Sequence, residues 1–324
     1  MYPCHYIEAM IENDLMIFPG TASANLTSSI CDWLKVPVRK NDCLTFSDGN
    51  TFVQVGENVR GRDVFVVQST IHKTNDKFME LLFWIDALKR ASAASVTAVI
   101  PYFSYGKGDK KDEPRVSIRA RVCADALESV GCDRVVTMDL HSPQIQGFFR
   151  IPVDNLFGLH TLGNRVKKDG ADNLVVVAAD TGFAEEARKF ARYLDAPVAI
   201  SVKHRPDHNE QAEVIDIIGD VRGKTALIVD DFVISGGTLI EDARDLKSKG
   251  ASRVMAAVTH GVFSPGAMKR ISDSELEKLY VTDSVENRPE PLIEKIQVVP
   301  VASCFGEAIK RIARKESISA MFPE

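Results

Sequence analysis

Short apolar runs of the kind that form buried strands alternate with helical segments along almost the whole chain. VFVVQ at 64–68 is followed by an apolar helical stretch near 76–92, and VTAVI at 96–100 is followed by another at 117–130. Parallel strands need such crossover helices, and strands covered on both faces are apolar throughout. The alternation therefore predicts an α/β fold built on parallel sheets.

The alternating pattern occurs twice, and we interpret the two sets as two similar α/β domains with doubly wound parallel sheets. Residues 1–152 form the first predicted domain and residues 153–324 the second. No linker rich in Pro, Gly or Ser separates them, so we expect close packing. We expect the last helix, at about 304–314, to fold back on one of the two domains, and either domain, including the first, is consistent with the sequence. The other predicted elements are strands at 15–18, 135–140, 174–180, 197–202 and 225–231 and helices at 24–34, 158–168 and 184–194.

Composition argues against several classes of protein. The 324 residues are 45% hydrophobic and 26% charged, with a net charge of −5, as is ordinary for globular proteins. Because a general basic surface is absent, we expect no nucleic-acid partner, and phosphate groups must be bound locally. Because the sequence lacks both an 18-residue apolar run and a basic amino-terminal targeting segment, we expect no membrane association. Six cysteines without a CxxC pair indicate reduced thiols and a cytoplasmic protein.

The segment 226–250, ALIVDDFVISGGTLIEDARDLKSKG, predicts a binding site between a strand and a helix. Its apolar run stops at Asp230 and Asp231, and two adjacent carboxylates can accept hydrogen bonds from a vicinal diol. The helix begins with free N–H groups and the positive end of its dipole, which favour a phosphate. A strand-to-helix turn with an Asp cap is the alternative, but the full pattern favours a sugar-phosphate site. The loop does not match a Walker A motif. The small residues of the loop are Ser235, Gly236, Gly237 and Thr238.

Other polar loops are expected at the carboxyl ends of strands, where open α/β sheets bind their ligands. FSDGN at 46–50 has groups that stack on and hydrogen-bond a nucleobase, although by itself it is more typical of an Asp-Gly hairpin turn. PYFSYGKGDKKDEPR at 101–115 is basic enough for a polyphosphate, although such runs are usually solvated loops.

Two single residues and one longer loop complete the candidates. His141 follows a strand and is suited to a metal or a phosphate, although a lone histidine is more often structural. Asp180 precedes a helix, as either a metal ligand or a plain N-cap. KHRPDHNEQAEV at 203–214 lacks any helical or strand period, which is typical of a mobile flap or of an exposed basic loop.

Taken together, these motifs resemble the ribose-phosphate pyrophosphokinase (phosphoribosyl diphosphate synthetase) family over about residues 14–322. MDLHSPQIQGFF at 138–149 is the most specific match, against the family's Asp-Leu-His-x-x-Gln-Ile-Gln-Gly-Phe-Phe. Residues 230–238 are similar to its Asp-Asp-x-x-Asp-Thr-Ala/Gly-Gly-Thr loop. The resemblance implies domains of phosphoribosyltransferase type. It also implies Mg²⁺-dependent transfer of diphosphate from ATP to the anomeric hydroxyl of ribose 5-phosphate, giving phosphoribosyl diphosphate and AMP.

The resemblance also implies residue roles on the sugar and metal side. Asp230 and Asp231 are the implied ligands of the ribose hydroxyls, and residues 235–238 bind the 5-phosphate. His141 and Asp180 are the implied Mg²⁺ ligands.

On the nucleotide side, the resemblance implies a site shared between subunits. Lys203 and Arg205 match the family's Lys-x-Arg flap motif and are the implied catalytic residues. In the family, the FSDG segment contributes to the ATP site of a neighbouring subunit, so we expect a homo-oligomer, a dimer at least, with a hexamer as the larger alternative. The implied nucleotide-binding residues are Phe46, Asp48, Gly49, Asn50, Lys107, Gly108, Asp112 and His141.

The chain departs from the family pattern at several site positions. Ile234 stands where the family has a third aspartate, and Asn50 stands where it has a glutamate. Lys107 and Gly108 replace an Arg-Gln pair, which keeps a charge but loses the planar fork, and Phe183 is bulkier than its counterpart. ATP or another nucleotide donor is therefore expected. Two alternatives stay open: a phosphoribosyltransferase that consumes phosphoribosyl diphosphate, and a catalytically silent regulatory homologue.

Overall fold

The structure, a computed structural model, describes residues 15–204, 213–286 and 290–322 of the chain. Within these residues the predicted α/β architecture with parallel sheets is confirmed. No helix among the described residues has the length and apolar character needed to cross a membrane.

The first domain surrounds a parallel sheet with an antiparallel hairpin beside it. Its elements are β1 (Met16–Pro19), α1 (Ala24–Leu34), β2 (Asn41–Thr45), β3 (Thr51–Val55), β4 (Asp63–Val67), α2 (Thr74–Arg90), β5 (Ser95–Ile100), α3 (Arg119–Ser129), β6 (Arg134–Met138) and β7 (Val153–Leu156). The sheet has the order β1-β4-β5-β6-β7, and β2 pairs with β3 in the hairpin. Because successive side chains of a strand point to opposite faces, Val64 and Val66 pack on the α2 side and Phe65 on the α1 side.

The second domain is built around a larger sheet, in which the described strands are parallel except for the edge strand β10. Its elements are α4 (Leu159–Lys168), β8 (Leu174–Ala178), α5 (Ala184–Leu194), β9 (Val198–His204), β10 (Glu213–Ile218), β11 (Thr225–Val233), α6 (Gly237–Ser248), β12 (Arg253–Gly261), α7 (Ala267–Ser272), β13 (Lys278–Thr282), β14 (Ile296–Val299) and α8 (Ala302–Ala313). The sheet order is β10-β9-β8-β11-β12-β13-β14.

The last helix, α8, packs on the first domain. Phe305 and Ile309 are buried in one apolar cluster with Ile17 of β1 and Ile30 of α1. Since β7 pairs with β6, the residues up to 156 also belong to the first sheet. We therefore propose a first domain that ends at about residue 156, slightly later than predicted, and that is completed by α8.

Glu286 joins the second domain to the amino terminus of α1. Its carboxylate accepts hydrogen bonds from the Asn25 side chain at 2.9 Å, the Asn25 N–H at 3.1 Å and the Leu26 N–H at 2.5 Å. Helix α1 has no capping side chain of its own at this end, and the first N–H groups of a helix need acceptors from outside it. A residue that follows β13 thus caps a helix of the other domain.

His260 of β12 joins the domains a second time. Its Nε2 donates to the carbonyl oxygen of Met138 at the end of β6, at 3.0 Å, and its Nδ1 accepts from the Ser284 hydroxyl at 2.8 Å. Burial lowers the pKa of His260 from 6.5 to about 4. The neutral imidazole fits here, because Nε2 donates to a carbonyl and the unprotonated Nδ1 can accept from a hydroxyl.

We predict that His260 makes the folded state sensitive to acid. The unfolded chain binds a proton here near pH 6.5, whereas the folded chain resists protonation until about pH 4, so stability falls as the pH falls through this window. Between pH 7 and pH 4.5 the parent should lose about 2–3 kcal/mol at this residue, and His260→Gln should lack that part of the loss.

The free energy of unfolding in urea, measured at both pH values, tests this prediction. The control is His160→Gln, which changes a half-buried histidine that lies against the Tyr193 ring in the second domain. Equal losses of stability in the parent and in His260→Gln would count against it.

Candidate active site

The strand order of the second sheet reverses between β8 and β11, so β9 and β10 lie on one side and β12 to β14 on the other. Open α/β sheets bind ligands in the crevice beyond the strand ends at such a reversal. Here β11 pairs with β8 only as far as Val229, but with β12 as far as Val233. Asp230 and Asp231 therefore lie on a part of the strand whose β8 side is open. The predicted end of the strand, at residue 231, was too early, because pairing with β12 carries β11 past both carboxylates.

Negative charge is concentrated at this crevice. Burial raises the pKa of Asp230 well above its ordinary value, and the neighbouring carboxylates of Asp231 and Asp180 raise it further. Asp180 follows β8, and its Oδ1 accepts a hydrogen bond from the Phe183 N–H at 3.0 Å. Asp180 is thus an N-cap, as one of its two interpretations predicted, and it also lies close enough to affect Asp230. The bulky Phe183 packs into the apolar cluster of the second domain.

A residue of the first domain reaches into the crevice. His141, just beyond β6, has its Nδ1 2.7 Å from Oδ2 of Asp231. Asp231 is buried, and its other oxygen accepts from the Phe232 N–H at 2.8 Å. The hydrogen bond to Asp231 raises the pKa of His141. The structure thus joins a predicted metal ligand to a predicted ribose ligand, although they are far apart in sequence.

The residues of this region can hold a divalent cation together with a substrate. Among the described residues, no group of three His, Cys, Asp or Glu side chains forms a complete metal site. Mg²⁺, however, keeps several waters and is usually held by one or two carboxylates together with substrate phosphates. The carboxylates of Asp230, Asp231 and Asp180 repel one another, and a bound cation would relieve that repulsion.

A cleft with about 260 Å³ of empty space, part of it open to solvent, lies between the two domains beside His141. Its walls come from the loop after β5, from the end of β6 and from β11 and β12. The side chains that the site uses or that join the domains are Tyr102, Lys107, Asp139, His141, Phe232 and His260.

Lys107, like His141, is a predicted nucleotide ligand that lines this cleft. Its ammonium group lies 4.3 Å from the centroid of the Phe232 ring, and the His141 ring lies 5.5 Å from the same ring. An ammonium over an aromatic face is attracted by the negative charge of that face. The sequence prediction missed Phe232, whose only signal was an aromatic residue directly after two aspartates.

Gly108 has a structural reason to lack a side chain. A Cβ at this position would lie 2.5 Å from Nε and 2.9 Å from Cβ of Arg119, the first residue of α3. The Arg119 side chain therefore occupies the space beside the loop that a residue at 108 would fill. This arginine was also missed from the sequence, and the glycine was the signal that pointed to a neighbouring group. Asp112, further along the loop, is exposed.

The loop between β11 and α6 brings its small residues to the amino terminus of α6, and its binding of an anion remains a prediction. Gly236, with φ of +81°, is the residue before α6, and this left-handed conformation favours glycine. The Gly237 N–H lies 3.4 Å from the Ser235 hydroxyl, and Thr238 lies in the first turn of the helix. Arg270 of α7 donates to the Ser235 carbonyl at 3.0 Å and adds positive charge beside the loop.

Ile234, at the position of the missing third aspartate, packs against the apolar cluster of Tyr102, Val262 and Val285. It therefore adds apolar packing to the loop where a carboxylate would add charge.

The FSDGN segment lies away from the cleft within one chain. It forms the turn of the β2–β3 hairpin, in which the Asn50 N–H donates to the Asp48 carboxylate at 2.9 Å and Gly49 has φ of +89°. Phe46 is 53% exposed and lies beside the ring of Phe52. None of these residues lines the cleft that the described part of one chain encloses. The hairpin interpretation is correct, and the nucleotide-binding role remains a prediction.

The predicted flap is partly regular structure. Lys203 lies in β9 opposite Val214 of β10, and the two strands run antiparallel. The expectation of an irregular segment over 203–214 was therefore wrong at both ends, because backbone pairing at a sheet edge does not require an apolar period. Arg205 and the position of the Lys203 side chain lie outside the described part of the chain.

Comparisons with known proteins agree on one family. Residues 15–131 match the N-terminal domain of ribose phosphate pyrophosphokinase, and residues 206–323 match the phosphoribosyl synthetase-associated domain. A ribose-phosphate pyrophosphokinase of Nitrosomonas europaea is 47% identical over 97% of this chain and 100% of its own length. One of Caldanaerobacter subterraneus is 46% identical over 97% of this chain and 99% of its own.

A solved structure agrees in fold over nearly the whole length. The crystal structure of phosphoribosylpyrophosphate synthetase from Mycobacterium smegmatis superimposes with a TM-score of 0.88 at 35% identity. The match covers 94% of this chain and 100% of that one. These identities and coverages show that the chain belongs to the ribose-phosphate pyrophosphokinase family.

Proposed function

We propose that the protein transfers diphosphate from ATP to the anomeric hydroxyl of ribose 5-phosphate in the presence of Mg²⁺, releasing phosphoribosyl diphosphate and AMP. The observation that carries this proposal is the 2.7 Å hydrogen bond between His141 and Asp231, because it joins the proposed nucleotide side to the proposed sugar side. The names of the full-length relatives support the same activity.

The sugar side of the proposed site belongs to the second domain. Asp230 and Asp231 accept hydrogen bonds from the ribose hydroxyls, and binding a diol would satisfy oxygens that now repel one another. The 5-phosphate lies against residues 235–238, where helix N–H groups and the nearby Arg270 favour an anion. Asp231 is shared between His141 and the sugar.

The nucleotide side belongs to the first domain and to a neighbouring subunit. Lys107 and His141 face the polyphosphate in the cleft, with Gly108 and Asp112 on the same loop. The neighbour's hairpin supplies the base-binding residues in this proposal, since the same hairpin does not line the described cleft of its own chain. These hairpin residues are Phe46, Asp48, Gly49 and Asn50.

Positioning accounts for most of the proposed chemistry. The anomeric hydroxyl of the sugar gives its proton to water as its oxygen bonds to the β-phosphorus of ATP. The bond from that phosphorus to the bridging oxygen breaks, and AMP leaves with this oxygen, so the protein has little covalent work to do. Mg²⁺, held by Asp180 and His141, would neutralise charge on the diphosphate. Lys203 and Arg205 add positive charge as the bond to AMP breaks, when negative charge grows on the leaving oxygen.

An assay for AMP tests the proposed function against both alternatives. Protein supplied with ATP, Mg²⁺ and ribose 5-phosphate should release AMP and phosphoribosyl diphosphate in equal amounts, measured by chromatography, and should release neither without the sugar. A phosphoribosyltransferase would instead release diphosphate from phosphoribosyl diphosphate and a base. A silent homologue would do neither, and either of these results would refute the proposal.

Lys203→Ala should lower kcat by roughly 10²–10³-fold, because it removes a charge that acts on the transition state. The Michaelis constants for ATP and ribose 5-phosphate should stay within about threefold, since a group that acts only in the transition state adds little to substrate binding. Steady-state kinetics give both values. Lys168→Ala, an exposed lysine at the end of α4, is the control and should match the parent. A variant that fails only through a higher Michaelis constant would exclude this role.

A shared site predicts complementation between two inactive variants. Asp48→Ala damages the hairpin that a chain contributes to its neighbour's site, and Lys203→Ala damages the chain's own site. When the two variants are co-expressed and mix at random in a symmetric oligomer, half of the sites have an intact Lys203 from their own chain. Half of these also have an intact Asp48 from the neighbour, so about one quarter of parental activity should return. Light scattering on the same samples checks the oligomer. A fully active monomer, or no recovery in mixed oligomers, would contradict a shared site.

A further inference from the structure

Phe232 lies between two groups of the other domain. The Lys107 ammonium is 4.3 Å from the centre of its ring, and the His141 ring is 5.5 Å away at an angle of 48°. The Phe232 ring is half-buried and forms part of the cleft wall. One aromatic side chain of the second domain thus contacts two proposed nucleotide-side groups of the first.

Phe232 also has contacts within its own part of the site. Its backbone N–H donates to Asp231 at 2.8 Å, and the other oxygen of Asp231 is 2.7 Å from His141. Phe232 also packs against the buried cluster of Tyr102, Val262 and Val285. A rotation of the ring away from the cleft would disturb this apolar packing.

Lys107 needs such a partner more than an arginine would. A lysine carries a compact charge on a flexible stem with four rotatable bonds, whereas a guanidinium is planar and fixes its own geometry when it binds phosphate. Lys107 is exposed, so water competes for its ammonium group. An aromatic face at 4.3 Å restricts the places where this charge lies.

We propose that Phe232 is a positioning residue for nucleotide binding, whose ring holds the Lys107 ammonium beside His141 at the polyphosphate end of the cleft. This inference rests on the proposed function for the identity of the ligand. It assigns no chemical step to the ring, which acts through Lys107.

Two substitutions separate this role from simple packing. Phe232→Leu keeps an apolar side chain in the cluster but removes the aromatic face, whereas Phe232→Tyr keeps the face. The Kd of ATP with Mg²⁺, measured by titration calorimetry without ribose 5-phosphate, should rise about 3- to 10-fold in Phe232→Leu, the range expected for one lost cation–π contact. It should stay within about twofold of the parent in Phe232→Tyr.

A double-mutant cycle gives the readout that packing alone would not change. With Lys107→Met in place, Phe232→Leu should cause little further loss of ATP affinity, because the charge that the ring holds is already gone. If the two losses add, the ring acts independently of Lys107 and the inference is overturned. Thermal unfolding midpoints of all variants identify any that is merely unfolded, and Phe232→Met, which also lacks an aromatic face, then takes the place of Phe232→Leu.

The binding experiment also separates this inference from the proposed reaction. A parent that binds ATP and shows the expected coupling, but makes no AMP, refutes the reaction and leaves the positioning role standing. A parent that makes AMP, but whose leucine variant binds ATP normally, refutes the positioning role alone. A parent that does not bind ATP refutes both.

Discussion

Two adjacent carboxylates at the buried end of β11 are the constraint on which the rest of the site depends. Burying one charge beside another is costly, and the raised pKa of Asp230 expresses that cost. The imidazole of His141 beside Asp231 and the Asp231 N–H that donates to Asp230 offset part of it. The reversal of strand order leaves the remaining side open, so a ligand with hydroxyls or a cation completes the balance.

The two domains are joined by polar groups as well as by the site. Glu286 of the second domain caps α1 of the first, and His260 of β12 donates to the last residue of β6. These contacts lie at the same edge of the sheets as the Asp231–His141 hydrogen bond. The cleft is therefore defined by contacts that do not require a ligand, and Lys107 and Phe232 meet across it because the domains are already held together.

The apolar runs allowed most of the central strands and helices to be predicted, because burial on both sheet faces leaves a strong signal. Helix α1 and helix α5 have their predicted bounds. The strands β2 and β3 were missed, although their Asp-Gly turn was noted, because one face of the hairpin is exposed and its strands are polar in alternation, as the burial of β3 shows. The strand β10 is an edge strand in which acidic residues interrupt the apolar ones, and the alanines of β12 suit a helix equally well.

The candidate site also has a part that the sequence predicts and a part that it does not. Asp230, Asp231 and the small-residue loop follow from one local pattern, so the sequence located them together. The contact between His141 and Asp231 required knowledge of how two sheets face each other, which no local pattern contains. Phe232 is further removed, since its partner Lys107 comes from the other domain and its aromatic character alone indicates nothing about a charge.

The return of α8 to the first domain has a consequence for the way the chain folds during synthesis. Until residues 302–313 are made, Ile17 and Ile30 lack the helix that covers them in the finished protein. At ordinary rates of synthesis the ribosome needs roughly 10–30 s to pass from the end of β7 to the end of α8. The first domain emerges first but is completed last, so for that interval an apolar face waits for its own carboxyl-terminal segment and is open to chaperones or to another copy of the chain.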